Sequence, residues 1–242
     1  MAFFEKDFYL TIRDIDKNTD ITNKAILAFF EDIGGCQSDM AGFGLKDIEK
    51  TKLSWVLLNW KFKVIKRIKY DGRMFKVRTW SRGIKRASCF RDYEIYNADN
   101  ELCVVGSSKW TLIHLENGLM KLNEDILNKY VTDSKCVFGD NFDFKRLREP
   151  ENPSLVYNYT VSRRDIDINN HMHNSYYLDL AYECLPKEVY ENNTFNNVEI
   201  MYKFGSFLGD NLKCFYSNAD DGHYIVIKSE DEKTLHSIIK LY

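Results

Sequence analysis

The sequence predicts an α+β protein written twice, each unit a long helix packed on a curled antiparallel sheet. Three observations predict it. The run RDIDKNTDITNKAILAFFED (13–32) returns in altered form as RRDIDINNHMHNSYYLDLAYE (163–183). An apolar stretch with helical spacing follows both times. Several strand-like runs separated by turn residues then complete each half.

Setting Asp14 against Asp165 pairs Arg13 with Arg164, Ile15 with Ile166, Asp16 with Asp167, Asn18 with Asn169, Asn23 with Asn174 and Leu27 with Leu178. A match of this density at corresponding places marks an internal duplication. In the first half, Ile26, Phe29, Phe30 and Ile33 recur at three and four residues, the period of a helix with one buried face. Gly34-Gly35 is expected to weaken that helix. Strands are expected at 53–65, 73–84, 87–98 and 101–115, punctuated by Asp71-Gly72 and by Asn97 to Asn100. The stretch 116–154 is charged and irregular, holds Pro150 and Pro153, and includes one helix-like run at 122–130.

In the second half, Tyr177, Leu178, Ala181, Tyr182 and Leu185 carry the helix, and Pro186 ends it. Strands are expected at 196–207, 211–219, 223–230 and 234–242. Val198, Ile200 and Tyr202 alternate with Glu199, Met201 and Lys203, as a sheet with one buried face requires. The chain is therefore divided into an N-terminal unit at 1–135, a linker region at 136–154 and a C-terminal unit at 155–242.

Bulk properties exclude several classes. The chain has 242 residues, 44% of them hydrophobic, enough apolar surface for one large core or two small ones. A net charge of −2 gives no single-sign field, so neither nucleic acid nor an anionic membrane is an expected partner. No apolar run approaches the roughly 18 residues of a membrane span. The N-terminus carries acids and no small-residue cleavage site, so no signal peptide is expected. Six scattered cysteines without a CxxC pair read as buried free thiols. A soluble, cytoplasmic protein is the expectation.

The two copies differ where chemistry is possible. Asp16-Lys17-Asn18-Thr19-Asp20 stands against Asp167-Ile168-Asn169-Asn170-His171. Only the second copy has a side chain of a type whose unperturbed pKa lies near neutrality. Spacing of two puts Asp167, Asn169 and His171 on one side of an extended segment. The helix that follows adds N–H groups suited to a developing oxyanion. The competing reading is purely structural, because Asp and Asn before a helix serve as caps and turn formers. His171 with His173 is a weak metal signal without CxxC or HExxH, and no metal is expected. Cys184, among apolar helix residues, reads as a packing thiol and not as a nucleophile paired with His171.

The motifs resemble those of bacterial fatty acyl-acyl carrier protein thioesterases, which are tandem double hotdog proteins. The family pattern D-x-N-x-H-V-N-N-x-x-Y is similar to Asp167-x-Asn169-x-His171-Met172-His173-Asn174-x-x-Tyr177. Trp55-Val56-Leu57-Leu58-Asn59, Thr79-Trp80, Arg91-Asp92-Tyr93-Glu94-Ile95, Ser108-Lys109-Trp110-Thr111-Leu112-Ile113 and Glu183-Cys184-Leu185-Pro186 resemble further family motifs, in order along nearly the whole chain. The resemblance implies hydrolysis of the thioester between a fatty acyl chain and acyl carrier protein in fatty acid biosynthesis, with no cofactor. Asp167 and His171 would polarise or deprotonate water, or Asp167 would attack directly. Asn169 would orient water or the carbonyl, and the helix N-terminus around Met172 to Asn174 would bind the oxyanion. The acyl chain would lie in the first unit.

The chain departs from the family pattern at three places. Gly205 stands where the family commonly has a glutamate, His173 where it has Asn, and Asn59 where it often has Arg. His173, Asn174, Glu183 and Glu199 are candidate supporting residues, the two glutamates as substitutes for the missing carboxylate. The alternatives are an acyl-coenzyme A thioesterase of the same fold and a non-catalytic acyl-binding protein. The partner implied is acyl carrier protein, and the chain is expected to be a monomer or a homodimer.

Overall fold

The computed structural model describes residues 3–120, 122, 124–140 and 142–242. The chain divides into two compact units, Met1–Phe144 and Lys145–Tyr242. Each is an antiparallel sheet with one principal helix.

In the first unit, β1 (Phe4–Phe8) is followed by α1 (Asn23–Ala41) and the short α2 (Ile48–Thr51). Four long strands follow, β2 (Leu53–Val64), β3 (Phe75–Lys85), β4 (Ser88–Tyr96) and β5 (Leu102–His114). They pair in the order β1-β3-β4-β5-β2, with β6 (Gly118–Leu119) added beside β5. The observed strands agree with the expected ones to within two residues, because Gly72 at φ +76° and Asn100 at φ +60° make the tight turns that the sequence marks.

Helix α1 runs unbroken through Gly34-Gly35, contrary to the weakening expected there. Thr22 caps its first turn, its Oγ1 accepting from Ala25 N at 3.1 Å, and Gly42 closes it in the left-handed conformation. Gly34 packs against the sheet at ordinary contact distance: a Cβ there would sit 3.5 Å from Tyr93 Oη and 3.8 Å from Arg91 Cδ. Phe30 on the same face stacks on Tyr93 at 4.5 Å and on Trp60 at 5.8 Å. Phe30, Trp60 and Tyr93 are fully buried. Offset aromatic stacks of this kind add to the free energy of area burial.

Segments 131–140 and 142–144 contact the same sheet. Asp92, fully buried on β4, accepts from Arg82 Nε at 2.8 Å, Ser107 Oγ at 2.7 Å and the Val137 N–H at 2.9 Å. Arg82 also donates to the Phe142 carbonyl at 3.2 Å. Burial pushes the Asp92 carboxyl above its ordinary range, and Arg82 opposes the shift. Thus the first part of the expected linker, at 136–140 and 142–144, packs with the first unit. Its remainder joins the second: Glu149 pairs with Lys228 at 2.6 Å, and Leu147 packs on the Met201, Val226 and Ile238 cluster. The helix-like run 122–130 forms only α3 (Glu124–Leu127), and its position 123 lies outside the described residues.

The second unit repeats the first. After β7 (Ser154–Thr160) come α4 (Asn174–Glu183) and α5 (Lys187–Asn192). Then come β8 (Asn197–Tyr202), β9 (Asn211–Ala219), β10 (Gly222–Ser229) and β11 (Leu235–Leu241). The pairing order is β8-β11-β10-β9-β7. With β7 for β1, β8 for β2 and so on to β11 for β5, this is the order of the first unit. Strand β8 ends at Tyr202, five residues before its expected end, because the chain leaves the ladder and turns at Phe207, whose N–H donates to Asp210 Oδ2 at 2.8 Å.

Candidate active site

The repeated phrase folds into the same turn twice. In the first unit Asp16 Oδ1 accepts from Asn18 N at 2.8 Å and from Asp20 N at 2.9 Å. In the second, Asp167 Oδ1 accepts from Asn169 N at 2.8 Å and from His171 N at 3.2 Å. Thr19 and Asn170 both take positive φ, 65° and 60°. The next backbone link is shared too: Thr22 N donates to Asp14 O, and His173 N to Asp165 O, at 2.9 and 2.8 Å. An aspartate that satisfies two loop N–H groups fixes such a turn whatever side chains it presents. The structural role of Asp167 is therefore the role of Asp16.

What the turn presents is different. Asp20 in the first unit pairs with Lys69 at 3.2 Å. Its counterpart His171 packs on Phe207, ring centroids 4.7 Å apart. The two turns meet corresponding partner segments. Ile21 N donates to Ile68 O at 2.9 Å, and Met172 N donates to Ser206 O at 2.8 Å. That register sets Arg67 against Gly205 and Lys69 against Phe207. A Cβ at 205 would stand 2.7 Å from His171 Cδ2, so the ring occupies space that only glycine leaves open. Ile168, Phe204, Phe207 and Leu208, exposed around the turn, give it an apolar rim.

The other expected site residues are placed as follows. Asn169 is exposed on the turn. His173 is the N-cap of α4: its Nδ1 accepts from Ser175 N at 3.3 Å and lies 3.0 Å from Ser175 Oγ. Its ring thus faces the helix while that of His171 faces Phe207, and among the described residues no three His, Cys, Asp or Glu side chains converge on a metal position. The Met172 and His173 N–H groups, expected to face an oxyanion, donate instead to Ser206 O and Asp165 O. Asn174 opens α4, and its carbonyl accepts from Tyr202 Oη at 3.0 Å. Glu183 is exposed at the far end of α4, roughly 15 Å along the axis at 1.5 Å per residue. Glu199 accepts from Tyr242 Oη at 2.8 Å, three residues before β8 ends, or about 10 Å of strand. Neither glutamate is brought to His171.

Behind the turn lies a set that sequence reading missed. Tyr177 Oη donates to Ser206 Oγ at 2.9 Å, and His236 Nδ1 lies 3.0 Å from both Ser206 Oγ and the Phe204 carbonyl. Tyr177, Ser206 and His236 are all buried. Only the Tyr177 position carried a signal, as the tyrosine that ends the run Asp167-x-Asn169-x-His171-Met172-His173-Asn174-x-x-Tyr177.

The fold and the turn define a class: a duplicated α+β protein in which one copy of a common turn has gained a histidine. Family comparison makes this specific. The model of the acyl-ACP thioesterase N-terminal domain matches residues 2–130, and that of the C-terminal domain matches residues 148–240. The chain belongs to the acyl-ACP thioesterase family. It is 21% identical over 216 residues to an oleoyl-acyl carrier protein thioesterase of Coriandrum sativum, covering 83% of this chain and 58% of that protein. It is 24% identical over 178 residues to a palmitoyl-acyl carrier protein thioesterase of Cuphea hookeriana, covering 71% and 42%. The chain therefore spans less than two thirds of the length of these curated relatives. An acyl-ACP thioesterase structure from Bacteroides thetaiotaomicron VPI-5482 superposes with a TM-score of 0.87 at 21% identity, covering 99% of this chain and 97% of that one. The 12:0-ACP thioesterase of Umbellularia californica gives 0.84 at 14% identity, covering 100% and 96%. These two likenesses establish a common fold. Among the described residues, no helix is long and apolar enough to cross a membrane.

Proposed function

We propose that the chain hydrolyses the thioester of a fatty acyl-acyl carrier protein and releases a free fatty acid. The match of both halves of the chain to the two domains of one thioesterase family carries this reading. In the same reading each unit is a hotdog unit, the first holds the acyl chain and the second reacts. A cytoplasmic protein, acting as monomer or homodimer on acyl carrier protein, goes with it.

Asp167, Asn169 and His171 are the proposed catalytic set. His171 takes a proton from water as the water oxygen adds to the thioester carbonyl. The C–S bond then breaks, and the proton passes from the imidazolium to the departing phosphopantetheine sulfur. General-base help of this kind contributes roughly 10²–10⁴-fold. Asp167 spends Oδ1 on the Asn169 and His171 N–H groups, so it fixes the His171 backbone and sets a negative charge on the same turn. Exposed Asn169 is assigned to orient water or the carbonyl. At the start of α4 the Ser175 N–H is capped by His173, and the Met172 and His173 N–H groups are engaged. The Asn174 N–H is thus the assigned backbone donor to the oxyanion.

Thiol release from acyl carrier proteins loaded with a ladder of acyl lengths, against matched acyl-coenzyme A, tests the proposal. Turnover on the carrier protein that vanishes in His171→Ala is the expected result. Turnover confined to coenzyme A would replace the carrier protein as substrate. Stoichiometric acyl binding without release would make the chain a binding protein.

A further inference from the structure

The duplication supplies an internal comparison for the buried set behind His171. Backbone hydrogen bonds fix the correspondence without reference to side chains. Ile65 N donates to Cys103 O at 2.8 Å, as Lys203 N donates to His236 O at 2.9 Å. With the Ile21–Ile68 and Met172–Ser206 links, this sets Ile68 against Ser206 and Cys103 against His236. The turn repeat itself sets Ile26 against Tyr177. The first unit therefore builds this place from Ile26, Ile68 and Cys103, all buried. The second builds it from Tyr177, Ser206 and His236. The fold forms with apolar residues there, so the polar set is not what the architecture demands. It occurs in the unit whose turn carries His171. Burying such groups has a cost that only complete hydrogen bonding offsets.

We infer that Tyr177, Ser206 and His236 are positioning residues for His171, acting through the segment Phe204–Phe207. The Phe204 carbonyl can only accept, so His236 Nδ1 carries the proton toward it. Ser206 Oγ shares that one N–H with the Phe204 carbonyl and also accepts from Tyr177. Helix α4 and strand β11 thereby grip one short loop from two sides. That loop meets the His171 turn at three points: the Ser206 carbonyl on Met172 N, the bare Gly205 beside the imidazole and the Phe207 ring in tilted contact with it. A shift of the loop is transmitted to the imidazole. A misplacement of about 1 Å at a catalytic group costs on the order of 10²-fold in rate.

This inference rests on the reading of His171 as the base, and its test has a readout independent of turnover. Tyr177→Phe and Ser206→Ala each delete one hydroxyl, and His236→Asn keeps an N–H donor near the Nδ1 place. The first two are expected to lower kcat by about 10-fold or more with KM changed little, and to shift or split the His171 ring resonances in NMR spectra. His236→Asn is expected to lose less than His236→Ala. Unchanged His171 resonances with wild-type kcat in the folded variants would overturn the inference. So would lower thermal stability with an unaltered kcat per folded molecule. Should the wild-type chain release no thiol, the hydrolase reading fails, and the ring resonances alone decide whether the three residues hold His171.

Discussion

Gly205 and His171 are matched by exclusion: a Cβ at 205 would stand 2.7 Å from His171 Cδ2 and 3.3 Å from Cγ. The imidazole touches that bare backbone and also packs, tilted by 46°, on the Phe207 ring 4.7 Å away. Its placement depends on a residue with no side chain at all.

Gly205→Ala is therefore expected to displace the His171 ring while leaving the core intact. Turnover should fall by about 10²-fold, with a melting temperature close to that of the wild type. Kinetics beside a thermal melt checks this. Full activity in the variant would show that the ring's position does not limit the reaction.

The matched turns give a paired prediction. Asp16→Ala and Asp167→Ala each remove one acceptor from two backbone N–H groups. Both should lose about 0.5–1.5 kcal/mol in urea unfolding, the usual net worth of hydrogen bonds that water can partly replace. Only Asp167→Ala should also lower turnover, by about 10²-fold or more. Equal turnover in the two variants would reduce Asp167 to the structural role of its twin.

A third expectation concerns acid stability. His223 on β10 has Nδ1 2.8 Å from Tyr216 Oη and packs edge-on to Phe195 at 5.4 Å. Burial lowers its pKa from the ordinary 6.5. The unfolded chain then binds a proton at a higher pH than the folded one does. The stabilisation is full above 6.5 and is lost as pH falls through the folded value. Unfolding free energies measured from about pH 7.5 to about pH 5 should decline more steeply for the wild type than for His223→Asn. Parallel curves would show that His223 titrates alike in both states.

Much of this was legible in the sequence because short-range chemistry governs it. Asp, Asn and a left-handed residue make a turn by local hydrogen bonds, so the two copies of R-D-I-D-x-N had to fold alike. The long strands were equally plain from alternation and turn residues. What could not be read depends on distant segments meeting. Ile21 and Met172 are 151 residues apart, but Ile68 and Ser206 are 138 apart and Cys103 and His236 are 133 apart. No single alignment offset reaches all three pairs, so the Tyr177, Ser206 and His236 set stayed hidden. Helix α1 was underrated for a related reason. The cost of two mid-helix glycines is intrinsic, whereas the burial of Phe30 against Trp60 and Tyr93 is tertiary.

The placement of segment 131–144 governs how the gene can be dissected. A truncation after codon 135 would strip the Val137 amide from Asp92 and the Phe142 carbonyl from Arg82. The fragment would then carry a half-dressed ion pair within its sheet and would be prone to precipitate on expression. A stop after codon 144 keeps that pair clothed and defines the N-terminal fragment worth isolating.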